Sequence, residues 1–257
     1  MIGKLAVTGF AAIVCVAPLH SLSAQSAAEW LTRGNTAYDA RDAGEAVADY
    51  EKALAVEPGN YEALWRIARG QVDLAQAEPD ADRRAAMYRT AQEQATRAVA
   101  ANPNGADGHF VLAESLGRMA QTMGSRDRVK YAGKVRDQAM ECLRLDSKSA
   151  PCLHVMGVWN AEIMRLNGFA RMIARNFLGG SVFSEASWAN ARRYLEQAVS
   201  LEPRRIVHRL DLARVYADMG LTAQARTEYQ SVIAGEVIDY NDPRYKTEAA
   251  AELKKLG

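Results

Sequence analysis

Small, aromatic and apolar residues return along this chain in a fixed order. The first block reads Trp30, Gly34, Ala46, Tyr50, Ala53 and Pro58. Two small residues, Gly34 and Ala46, sit where two helices can approach closely. Trp30 and Tyr50 are large enough to fill the wedge between one helix pair and the next. Pro58 stops the second helix, because proline cannot continue it. Further units of the same kind start near Tyr61, Ala106, Ala150 and Ile206. The second ends at Pro103 and carries Ala91 and Ala98. The third carries Leu112 and Ala113 and ends in LRLDS, where Ser147 stands in place of proline. The fourth carries Gly157, Ala191 and Ala198 and ends at Pro203. The fifth carries Ala213, Tyr216, Ala225 and Tyr229 and ends without a proline. A last helix is expected from Asp242 as N-cap with Pro243 at the first helical position. Its Ala249, Leu253 and Leu256 suit a capping helix, which terminal repeats need.

The spacing of the first block resembles the tetratricopeptide repeat, a 34-residue helix–turn–helix unit. Arg33 and Ala37 depart from the large apolar residues usual at their places. A single pair cannot bury its apolar face, so the units must stack. The expected fold is all-α, an α-solenoid of about five such pairs with a C-terminal capping helix, spanning residues 25–257. The second and third units are longer than the repeat by about ten residues, placed between their helices, and the fourth by about twenty-two, near 163–186. Extra length of this kind usually maps to one face, often the binding face.

From about Ala106 onward the chain is similar to the regulator of microtubule dynamics family. The residues that carry this are GVWNAEIMRLNGFARMIARNFLGG, SWANARRYLEQAVSLEP and the closing DPRYKTEAAAELKKL. The resemblance implies a helical repeat protein. One member is associated with binding phospholipids and transferring them between membranes. The cytoskeletal role is not carried over, because the first residues direct the chain elsewhere.

Those residues read MIGKLAVTGFAAIVCVAPLHSLSAQ. Lys4 begins them, an apolar run from Leu5 to Leu19 follows, and Ala24 closes a small-residue cleavage site. This is the layout of a secretory signal peptide over residues 1–24. The chain is therefore expected to be exported, in the periplasm, and soluble after cleavage. Loss of Lys4 takes the formal net charge from +1 to zero, which gives no argument for a nucleic-acid partner. Of three cysteines, Cys142 and Cys152 remain in the mature chain. In an oxidising compartment they either pair or stay as two buried thiols.

No catalytic signature is present. His109, His154 and His208 do not fall in HExxH or at metal-ligand spacing, and there is no GxSxG, Walker loop or GxGxxG. We expect no catalytic residue, no metal and no cofactor, and a protein or peptide as partner. In a tetratricopeptide superhelix the first helix of each pair lines the concave wall. One inward position of that helix is held by Leu31, Trp65, Phe110, His154 and Leu210. The next is held by Asn35, Arg69, Glu114, Val158 and Arg214. A clamp for a peptide's C-terminal carboxylate is rejected: Asn35 suits one, but Leu31, Asp107 and Val111 do not. The apolar stripe has two readings. Either the long fourth-unit insertion folds back over Trp65 and Phe110, or the stripe is a groove for an apolar ligand, a lipid tail or an amphipathic helix. Arg69 and Arg214 would then hold a carboxylate or phosphate head group. In the insertion, Phe169, Met172, Ile173 and Phe177 share one face, with Arg171 and Arg175 one turn apart. Such a helix packs into the core, closes a groove as a lid, or lies on an anionic phospholipid surface. Arg126, Arg128, Lys130, Lys134 and Arg136 form a basic helix face.

Overall fold

A computed structural model describes residues 25–166 and 183–256. Among them eleven long helices follow in antiparallel pairs. They are α1 (Ala27–Asp39) with α2 (Ala43–Val56), α3 (Tyr61–Ala77) with α4 (Ala81–Ala101), and α5 (Ala106–Gln121) with α6 (Ser125–Leu145). After these come α7 (Ala150–Arg165) with α8 (Trp188–Leu201), α9 (Ile206–Asp218) with α10 (Thr222–Ala234), and a closing α11 (Asp242–Lys255). Five pairs and a cap are thus present, and α3, α5, α7 and α9 begin at the unit starts read from the sequence.

Local chemistry sets the helix ends. Ser26 caps α1 in a reciprocal capping box with Glu29, and Asp42, Asn60, Asp80 and Ser187 accept from the first turns of α2, α3, α4 and α8. The expected cap of the last helix moves by one residue. Asn241 occupies the N-cap and Asp242 is the first helical residue. The reason is tertiary. The Asp242 Oδ2 accepts the backbone N–H of Ile238 and of Asp239, both at 2.8 Å, which folds the preceding loop onto the helix start.

The extra length of the second and third units does not form loops between helices. It is drawn into the helices themselves: α4 and α6 each run 21 residues, against 14 in α2. The connections stay short, residues 78–80 and 122–124. Alanine- and arginine-rich stretches of good helix propensity favour this outcome over a loop. The fourth unit's extra residues follow α7, and of them 167–182 lie outside the described residues. With them lie Phe169, Arg171, Met172, Ile173, Arg175 and Phe177. Phe183, just beyond, is buried and lies 6.1 Å from the Trp159 ring.

Packing rests on small residues at the helix crossings. Ala46, Ala53, Ala91, Ala98, Ala191, Ala198, Ala213 and Ala225 are fully buried. At three crossings even alanine is too large, one being Gly70 of α3, where a Cβ would stand 2.5 Å from Val47 Cγ2. A Cβ on Gly34 would stand 2.4 Å from the Tyr50 ring, and one on Gly157 would stand 2.5 Å from Leu195 Cγ. Tyr50 cannot swing away, since it is buried and its hydroxyl donates to Asn35 Oδ1 at 2.9 Å.

Two further ties act at longer range. Cys142 of α6 and Cys152 of α7 are joined by a disulfide, with 6.3 Å between their Cα atoms. The C-terminal end then reaches back to the second unit. Asn241 Nδ2 donates to the Asp73 carbonyl at 3.1 Å, and Tyr245 Oη and an Arg244 guanidinium nitrogen each donate to Gln76 Oε1 at 2.9 Å. Arg41 donates to the Val237 carbonyl at 3.1 Å. The solenoid is therefore bridged across its concave side by residues 237–245.

Two outcomes are expected. Gly34→Ala should lower stability to urea by about 1–2 kcal/mol, because overpacking costs about 1–3 kcal/mol and alanine's better helix propensity returns up to about 1. Replacing both Cys142 and Cys152 by serine should cost about 2–3 kcal/mol, the loop-closure value for a link of this length. Reductant should destabilise the parent chain in urea and leave the serine variant unchanged.

Candidate functional site: a cavity beside a bridged concave wall

The concave wall carries fewer apolar residues than its sequence stripe suggests. Trp65 is 9% exposed and packs into the core with Leu64, Ala68 and Leu112, while the Arg66 guanidinium lies 4.4 Å above its ring. Leu210 is fully buried in the core formed by α9, α10 and α11. Leu31 packs among the first pair and α3, and Asn35 is held by Tyr50. These four residues line neither of two cavities found on this side among the described residues. The other six are brought together. Arg69 and Phe110 face a small chamber, Val158 and Arg214 face a larger cavity, and Glu114 and His154 border both.

The small chamber has a volume of about 50 Å³. Asp239, Asn241 and Tyr245 wall one side of it, and an extended peptide does not fit in that volume. Its lining is ionic. Tyr38 Oη donates to Asp73 Oδ2 at 2.6 Å, the Arg69 guanidinium lies 4.6 Å above the Tyr38 ring, and Asp239 stands 4.0 Å from Arg69. Burial pushes the Asp73 carboxyl up to about 6, with Arg69 and the Tyr38 hydrogen bond opposing that rise. A bridged, charged chamber therefore stands at this part of the wall, where one of the two readings of the stripe put a groove for an apolar ligand. The cause is a contact between residues far apart in the chain.

The larger cavity lies between α5, α6, α7 and α9 and measures about 360 Å³. Its floor is apolar: Ala132 and Val135 from α6, and Val155, Val158, Trp159, Ile163 and Leu166 from α7 and its end. Trp159 is fixed by its Nε1–H, which donates to the Ala132 carbonyl at 2.8 Å. The rim is ionic. Arg214 binds Asp211 at 3.0 Å, Glu248 at 2.8 Å and Glu252 at 2.7 Å. His154 Nε2 lies 2.8 Å from Asp211 Oδ2. Burial alone would raise the Asp211 carboxyl. The His154 hydrogen bond and the nearby Arg214 and Arg118 outweigh it and hold the group well below the ordinary range. The His208 ring lies tilted by 52° against that of His154 with centroids 4.8 Å apart, and burial lowers its pKa to about 4, so it is neutral at pH 7.

Arg165 completes the rim, paired with Glu162 at 2.7 Å and with Asp218 at 2.6 Å. Of the basic face on α6, Lys130 pairs with Asp127, Arg136 pairs with Glu185, and Arg128 turns inward to the cavity. Sequence reasoning missed Arg118, Val155, Trp159 and Ile163. The last three lie on α7, within reach of Val158 on a four-residue helical repeat, so a wider reading of that face would have found them. Nothing local marks Asp211 as the partner of His154, 57 residues away. Among the described residues no group of His, Cys, Asp and Glu is arranged to hold a metal ion. No described helix is long and apolar enough to cross a membrane.

Comparison with known proteins places this geometry. A tetratricopeptide repeat protein of Thermus thermophilus superposes with a TM-score of 0.63 at 22% identity, over 88% of this chain and 99% of that one. The likeness is one of fold. Regulator of microtubule dynamics protein 1 of Bos taurus is 27% identical over 135 residues, which is 51% of this chain and 42% of the bovine protein. Regulator of microtubule dynamics protein 3 of Xenopus laevis is 22% identical over 168 residues, 64% of this chain and 35% of that protein. The matched stretch thus spans less than half the length of either relative. The family model described as regulator of microtubule dynamics protein 1-3 matches residues 30–257. With that match and the stacked helix pairs, this chain belongs to the regulator of microtubule dynamics protein 1-3 family.

Proposed function

We propose that this chain is an exported, non-catalytic binding scaffold. Its ligand enters the cavity between α5, α6, α7 and α9. One observation carries the site: a cavity of about 360 Å³ with an apolar floor and an ionic rim, next to a concave wall that is bridged. That volume lies within the ordinary range of ligand sites, which join an apolar interior to a few polar groups. The repeat architecture supports a protein or peptide partner, since stacked helix pairs offer extended binding surfaces. Such a partner places an apolar anchor on Val155, Val158 and Ile163 and meets the charged rim around it, the arrangement of an interface hot spot. Export is supported by the signal-like residues 1–24 and by the Cys142–Cys152 disulfide, which suits an oxidising compartment.

A lipid or other acyl ligand is the second reading. The arginines around an apolar floor favour it, since an acyl chain with an anionic head presents the complementary surfaces.

One experiment separates the two. A photo-crosslinking residue is placed at Val158, in the cavity, and in a second variant at Thr90, on the exposed face of α4. Each is expressed with the native first 24 residues in a host that exports it. A protein-sized adduct at Val158 alone supports the partner protein. A small mass increment at Val158 alone supports the acyl ligand. Equal adducts at both positions, or none at either, would count against the cavity as the binding site. Recovery of the chain from the cytoplasm with residues 1–24 still attached would count against export.

A further inference from the structure

Four arginines border the large cavity: Arg118, Arg128, Arg165 and Arg214. Arg165 and Arg214 are each held by two or more carboxylates. Arg118 and Arg128 differ. Among the described residues Arg118 makes no ion pair and no hydrogen bond, although it is enclosed between both cavities. Burial opposes its charge. Tyr245, Glu114, Tyr88 and Asp211 surround it and keep it protonated without pairing with it. Among the described residues Arg128 makes two hydrogen bonds, both at 3.5 Å, to the carbonyls of Gln121 and Met123, and its Nε is buried with no acceptor. Neither 1–24 nor 167–182 contains an aspartate or a glutamate that would supply the missing side-chain carboxylate.

A guanidinium nitrogen buried without an acceptor is unfavourable, because its lost hydration is not replaced, and Arg128 Nε is in that position, while Arg118 opens onto both cavities with its donors unclaimed. The planar fork of an arginine pairs bidentately with a carboxylate or a phosphate; the singly charged carboxylate suits better a cavity that Glu114, Glu162 and Asp211 also border. Both unpaired arginines border the end of the cavity near the α5–α6 turn, residues 122–124. Glu114, one turn earlier on α5, also borders the cavity and would repel an anion placed further along that helix. From the α5–α6 end, the apolar floor of Val135, Val155, Trp159, Ile163 and Leu166 offers a surface for a hydrocarbon. The volume lies near the lower end of the range for small-molecule sites, which suits one chain rather than two.

We propose that this cavity binds a single-chain carboxylate amphiphile, a fatty acid, with its head group on Arg118 and Arg128 and its chain on the α6–α7 floor. The proposal rests on the acyl-ligand reading above and names the ligand class and the head-group site.

The test uses residues 25–257, stripped of lipid, in equilibrium dialysis with labelled laurate and with dodecanol, the neutral analogue of equal chain length. The parent chain should bind laurate saturably at one site and prefer it to dodecanol. Arg118→Gln should weaken laurate at least tenfold, as loss of a charged hydrogen-bond donor does, and leave dodecanol unchanged. Arg118→Lys should fall between. Val158→Trp, which fills the cavity, should remove both ligands, with helicity retained by circular dichroism. If Arg118→Gln weakens laurate and dodecanol equally, Arg118 is structural and the head-group site is wrong. If Arg118→Gln changes neither while Val158→Trp removes both, the acyl reading stands and the head-group assignment fails. If the parent chain binds neither ligand, the acyl reading itself fails.

Discussion

Everything in this molecule depends on how closely the helices of a pair can approach. Gly34 against Tyr50 and Gly157 against Leu195 leave no space for a single extra carbon. The buried alanines of the other crossings repeat the same constraint with one methyl more. Close approach allows short connections between helices and sets the rotation from one pair to the next. Summed over five pairs, that rotation brings α11 back within hydrogen-bonding distance of α3. The bridge and the chamber it leaves are thus consequences of small side chains far from either.

Polar chemistry inside the curve follows from the same geometry. Once the concave side is bridged, its charged residues lose most of their water and must find one another. Arg214 gathers three carboxylates, Asp211 is shared between Arg214 and His154, and Asp73 takes the Tyr38 hydroxyl. Partly buried ion pairs of this kind add little net stability, but they exclude other partners of the same charge. Arg118 and Arg128 stand out against that background because the network does not reach them.

Much of the fold was legible in the sequence, because it is written in short periods. Gly34, Ala46, Tyr50 and Pro58 fix a helix pair within 34 residues, and Tyr61, Ala106, Ala150 and Ile206, near which the sequence starts the following units, open α3, α5, α7 and α9. The site was only half legible. Arg69, Phe110, Glu114, His154, Val158 and Arg214 border the two cavities as their repeat positions imply, but Trp65 and Leu210 turn into the core. An inward repeat position specifies a helix face, and whether that face is open depends on what crosses it. Here the crossing element comes from residues 237–245, and no local pattern connects Asn241 to Asp73. The extra length of the second and third units was misplaced for a related reason. Added residues with good helix propensity lengthen a helix before they make a loop.

A repeat array normally behaves as a line of neighbours, whose end units fray first and whose stability is a sum of local terms. The contacts of Asn241, Arg244 and Tyr245 with Asp73 and Gln76 turn that line into a ring. In a ring the last helix has two neighbours, and opening it also exposes the second unit. Cooperativity is then a property of the circuit rather than of the pairwise interfaces, so a lesion at the C-terminus is felt at the N-terminal units.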